Sequence, residues 1–132
     1  MIILAAIAIP AFLNQKKKAN ETAAKSDATN ISKEFAAALV DGNLSAASLT
    51  TAGTPPVTTL STTVVGGSAE STEVKLSKGN TARVVMPSTI PATGTTTYCV
   101  TVTPNPTFDA ADVADGSPWS VGPNRIKKGL TC

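Results

Sequence analysis

The first forty residues carry a helical pattern longer than anything the rest of the chain can cover. Residues 1–13, MIILAAIAIPAFL, are apolar throughout, with one proline as the interruption. A polar and basic step follows from Asn14 to Lys18. Beyond it, Ala24, Ala28, Ile31, Phe35 and either Ala38 or Leu39 recur at spacings of three and four, which places them on one helix face. Lys25, Asp27, Lys33 and Glu34 fall at other positions, and Glu21 precedes Lys25 by the four residues that favour an ion pair along a helix. The pattern stops at Asp41-Gly42-Asn43, a suitable end because Gly and Asn accept positive φ. One helix from Ile2 to Val40 would be about 58 Å long at 1.5 Å per residue. That exceeds the diameter of any head the remaining residues can form, so helix must protrude, and an apolar tip in water demands a partner. Pro10 deletes one backbone hydrogen bond and is expected to bend or loosen the helix just upstream; a helix beginning at Pro10 is the alternative.

The apolar opening is too short to cross a bilayer, which takes about 20 residues. It also lacks the basic region and small-residue cleavage site of a secretory signal. Two settings suit it: burial against other proteins, or the tail end of a longer membrane segment whose basic flank is Lys16, Lys17 and Lys18.

From Leu44 onward the texture changes. The chain has twenty threonines, nearly all after residue 49, and such side chains suit extended backbone with a wet face. Residues 52–56 read as a loop. Four short strands are expected, at 58–65, 72–76, 81–86 and 95–103. In the second, Val74 and Leu76 alternate with Glu73 and Lys75; in the fourth, Tyr98, Val100 and Val102 share a face opposite Cys99, Thr101 and Thr103. Gly79-Asn80 suggests a tight hairpin between the second and third strands. An antiparallel sheet with one apolar face needs a cover, and the helix stripe from Ala24 to Leu39 is the candidate. After Pro104 the chain reads as irregular, with Trp119 as an anchor for the tail.

The chemistry excludes more than it offers. There is no histidine, and no serine or threonine stands out as a nucleophile beside a base, so an enzyme is not expected. Two cysteines, Cys99 and Cys132, cannot make a four-thiolate metal site; they suit one disulfide in a small exported domain, with two free thiols in a reducing compartment as the alternative. Asp109, Asp112 and Asp115 cluster near Gly116 but lack the spacing of a calcium-binding loop and read as solvated turn residues, so no metal or other cofactor is expected. A formal charge of +2 is too small to argue for nucleic acid. Lys16, Lys17, Lys18, Arg125, Lys127 and Lys128 are the candidates for phosphate or surface contacts, a weak signal without interleaved aromatics.

The stretch ILAAIAIPAFLNQ, residues 3–15, resembles the conserved helix of type IV pilins and pseudopilins, and KKKANETAAKSDATNIS resembles the amphipathic half that enters their heads. Tyr98-Cys99 with the ending GLTC is similar, more loosely, to the disulfide-closed C-terminal region of that family. The likeness covers about the first third of the chain. It implies that residues 1–23 are a protruding filament-core segment, packing through Ile3, Leu4, Ile7, Ile9, Pro10, Phe12 and Leu13. Residues 24–132 are then the head, with Ala24, Ala28, Ile31, Phe35 and Leu39 as its helix face. It also implies a Cys99–Cys132 bridge. Family precursors carry a basic leader, a cleavage glycine, an N-methylated aromatic residue and a nearby glutamate; none precedes Met1, which falls mid-helix. A truncated helix with an added start is therefore expected, the alternatives being a misassigned start or a shortened or divided subunit.

The expected architecture is α+β: a long protruding N-terminal helix packed on a small four-stranded antiparallel sheet, with the C-terminal tail closed by a disulfide. The resemblance implies a subunit that polymerises through this helix into a type IV pilus for adhesion, motility or DNA uptake. Its partners would be many copies of itself, the assembly machinery and the inner or cytoplasmic membrane, before it reaches the cell surface. A pseudopilin or minor pilin of a secretion or competence system is the alternative within that architecture. A surface-tethered binding module using Thr-rich loops is the alternative of another class.

Overall fold

The computed structural model of the chain describes residues 3–104, 118–129 and 132, with side chains described at Gln15 and from Lys18 onward within those ranges. One helix, α1 (Ile3–Asp41), precedes seven strands: β1 (Leu44–Ala52), β2 (Val57–Val64), β3 (Ala69–Val74), β4 (Thr81–Val85), β5 (Cys99–Thr103), β6 (Trp119–Gly122) and β7 (Arg125–Lys128). They form two antiparallel sheets, β1-β2-β3 and β4-β5-β6-β7. The helix packs against both. The fold is therefore α+β, an N-terminal helix on antiparallel sheets with a disulfide at the C-terminus.

The helix continues through Pro10 and stops at Asp41, ahead of Gly42. Its buried positions, Ala24, Asp27, Ala28, Ile31 and Phe35, follow the three-and-four spacing that brings side chains onto one face. Against them lie the inward faces of both sheets. Thr58, Leu60 and Thr62 of β2 and Val74 of β3 are buried from one sheet; Val100 and Val102 of β5 and Val121 of β6 are buried from the other. Tyr98, just before β5, is 3 % exposed and stacks on Phe35 with ring centroids 4.2 Å apart. These residues form one core, with Leu39, Ala38, Leu49, Leu76 and Val84 packed at its margin.

The two sheets meet where β1 lies beside β4. Leu44, fully buried, exchanges backbone hydrogen bonds with Thr95, each 2.8 Å long, and so ties the start of β1 to the segment leading into β5. The turn at Gly94 makes this approach possible. Gly94 has φ +76°, and a Cβ there would stand 2.7 Å from Asn43 Cβ and 3.0 Å from the Asn43 carbonyl carbon.

Three sequence expectations are corrected. The four-stranded sheet is made of β4 to β7, whereas 58–65 and 72–76 fall in the three-stranded one. The turn at Gly79-Asn80 is real, closed by Asn80 N–H donating to Ser77 O at 2.9 Å, but it joins different sheets: β3 pairs with β2, and β4 with β5. The tail is not irregular to its end, because β6 and β7 form a hairpin across Pro123 and Asn124. The missed strand β1, LSAASLTTA, is rich in Ala and Ser, which carry little β preference; its pairing with β2 makes it a strand.

Candidate functional site

The surfaces available for function are the helix, the seam where it meets the sheets, and the free edges of the sheets. Along the seam, Ala24 and Ala28 are small enough to bring the helix backbone near the strands, while Ile31 and Phe35 fill the space further on. All four are fully buried, and Leu39 is partly buried against the core. Ser32 and Tyr98 join hydroxyls at 3.2 Å beside the stacked rings.

Asp27 departs from the sequence reading, which placed it off the packed face. It is 4 % exposed, and its carboxylate accepts hydrogen bonds from the Ser77 backbone N–H (2.8 Å), the Ser77 hydroxyl (3.0 Å) and Asn80 Nδ2 (2.8 Å). A buried carboxylate is tolerable only with such donors. The arrangement pins the 75–80 connection to the helix. Spacing alone carried a signal for it, since Asp27 sits between Ala24 and Ile31 on the same side of the helix.

Further along the seam, Trp119 of β6 packs at the core margin and carries the Lys25 ammonium 4.9 Å from its ring centroid. Its Nε1 is buried and has no hydrogen-bond partner among the described residues. Lys128 of β7 meets Glu21 of the helix at 2.9 Å. Among the described residues the helix is thus held at four points beyond its apolar contacts, by Tyr98 ahead of β5, by β6, by β7 and by the turn after β3.

The C-terminus is secured separately. Cys99, at the start of β5, is bonded to Cys132 with Cα atoms 5.7 Å apart, and no free cysteine remains. Gly129 N–H donates to Pro118 O at 2.7 Å, Ser120 Oγ donates to Gly129 O at 2.6 Å, and Ser120 and Thr101 hydroxyls lie 3.1 Å apart. These contacts bury Ser120 and Thr101 on the sheet face turned away from the helix.

Of the basic candidates, Lys18 is exposed on the helix and Arg125, Lys127 and Lys128 are exposed along β7. Lys128 reaches Glu21, one helical turn from Lys18. The side chains of Ile3, Leu4, Ile7, Ile9, Pro10, Phe12, Leu13, Lys16 and Lys17, and the acidic residues Asp109, Asp112 and Asp115, lie outside the described residues. Among the described residues, no helix is long and apolar enough to cross a membrane, and no three His, Cys, Asp or Glu side chains gather as a metal site.

Two shallow cavities flank the helix-bearing face of β3. One, of about 330 Å³, is lined by Thr58, Glu73, Lys75, Leu76, Lys78 and Asn80 among others. The other, of about 290 Å³, lies between Asp41 at the end of the helix and Glu70. Comparison with protein-family models, with curated proteins and with solved structures returned no match.

Proposed function

We propose that this chain is a structural subunit of a type IV pilus or a related filament, polymerising through its N-terminal helix and presenting the disulfide-closed head to solvent. The observation that carries the reading is the mismatch between helix and head. α1 spans Ile3–Asp41, yet the first fully buried helix side chain among those described is Ala24. Helix N-terminal to it amounts to roughly 30 Å at 1.5 Å per residue. Its sequence is the apolar run of residues 3–13, which gains most by burial against like segments at roughly 25 cal/mol per Å² of apolar area. Repetition of one such heterologous contact builds an open fibre from one kind of subunit. The role is cohesive and non-catalytic. The proposed setting is the cell surface, with insertion in the membrane before assembly.

The test is negative-stain microscopy of the full chain with its native N-terminus, expressed with its assembly machinery. Fibres a few nanometres wide are expected, and Leu4→Ser with Ile7→Ser should abolish them while the head keeps its disulfide and circular dichroism. Normal fibres from that double variant, or an intact chain that stays monomeric, overturn the reading. Monomers whose heads capture a ligand through loop residues alone would point instead to a tethered binding module.

A further inference from the structure

Because β1 lies beside β4, the two sheets follow one another in the order β3-β2-β1-β4-β5-β6-β7 around the helix, and β3 and β7 stand at the two ends. Each has a single strand neighbour among the described residues, β2 for the first and β6 for the second. These ends carry opposite charge. β3, AESTEV, contributes Glu70 and Glu73 and no base, a charge of −2; β7, RIKK, contributes Arg125, Lys127 and Lys128 and no acid, a charge of +3. Both glutamates and all four β7 residues are exposed. Asp41 lies across the smaller cavity from Glu70, and Lys75 and Lys78, beyond the C-terminal end of the strand, line the other cavity with Glu73. On β7, Lys128 turns to Glu21 on the helix side, and the alternation of the strand sends Arg125 and Lys127 to the opposite face.

A strand edge exposes unpaired backbone groups and is a template for another chain unless something forbids it. Here like charges oppose β3 meeting β3 and β7 meeting β7, while opposite charges favour β3 meeting β7. Such a contact uses different surfaces on the two copies, so it does not close into a twofold dimer; it repeats from copy to copy as a ring or an open fibre, according to whether its rotation closes. We propose that the acidic β3 edge of one copy docks on the basic β7 edge of the next, so that heads associate side by side in one direction. This deepens the assembly reading, yet it concerns the heads alone and stands or falls apart from the helix.

The experiment uses the full chain at low salt, mixing copies labelled with ¹⁴N and ¹⁵N and treating them with a zero-length carbodiimide that joins carboxylates to amines. Mixed-isotope crosslinks from Glu70 or Glu73 to Lys127 or Lys128 are expected, suppressed at 1 M salt. Glu70→Lys with Glu73→Lys should weaken self-association about tenfold, and Arg125→Glu with Lys127→Glu should do the same. Mixing those two variants should restore association, because each then offers what the other lacks. Circular dichroism and an intact disulfide check that both variants are folded. Association that neither reversal changes, no recovery on mixing, or mixed-isotope crosslinks confined to other pairs overturns the proposal. Fibres without β3–β7 crosslinks would sink this inference and leave the filament reading, whereas β3–β7 crosslinks without fibres would do the opposite.

Discussion

The Asp27 carboxylate accepts a 2.8 Å hydrogen bond from the backbone N–H of Ser77, fifty residues further along the chain. Through this contact the helix also fixes the passage from one sheet to the other. The Ser77 hydroxyl and the Asn80 amide complete the set, so the carboxylate replaces the water it lost on burial.

Removing that acceptor should be costly. Asp27→Ala removes the acceptor of three part-buried hydrogen bonds and is expected to destabilise the head by about 3 kcal/mol, against about 1 kcal/mol for Asn80→Ala. Urea unfolding followed by circular dichroism measures both. Equal and small effects would show that water replaces the carboxylate at no cost.

Two glycines with the same φ of +76° should respond differently to a methyl group. At Gly66 nothing lies within 4 Å of a new Cβ, so Gly66→Ala should cost about 1 kcal/mol, the backbone strain alone. At Gly94 the methyl also meets Asn43 and Val65 Cγ2, and Gly94→Ala should cost at least about 2 kcal/mol. Paired melting curves of the two variants test the difference.

Cleaving the Cys99–Cys132 bridge removes a crosslink between residues 33 apart in sequence and should lower head stability by about 3–4 kcal/mol. Unfolding with and without a reductant measures it. The β6–β7 hairpin is expected to lose its amide-exchange protection first, because its outer hydrogen bonds run through Ser120 and Gly129 near the closed end.

The Phe35–Tyr98 stack and the Ser32–Tyr98 hydroxyl pair can be separated by substitution. Tyr98→Phe keeps the stacked ring and loses a part-buried hydrogen bond, an expected cost of about 1 kcal/mol. Phe35→Ala opens a cavity at a fully buried position and should cost about 3–5 kcal/mol. Comparable losses from the two would mean that the hydroxyl pair, and not packing, holds the helix here.

Much of the helix was legible because its information is local. Ala24, Ala28, Ile31 and Phe35 repeat at the period of the element, and that period names the buried face without reference to any other part of the chain. The alternation around Val74 and from Tyr98 to Val102 was legible for the same reason. The hairpin of β6 and β7 was missed although Pro123-Asn124 between WSVG and RIKK is a turn signal, because each flanking run is only four residues long.

Local pattern in the sequence was enough for a long helix with one apolar face, an apolar opening, and a Thr-rich antiparallel region. Tertiary structure alone decided that the strands divide into two sheets, that Asp27 is buried, and that an acidic edge and a basic edge end the strand order on either side. The reason is physical. Periodicity states which side of an element wants burial, but strand pairing, a buried carboxylate and the placing of edges depend on contacts between residues far apart in the chain, and no local pattern encodes which of those contacts form.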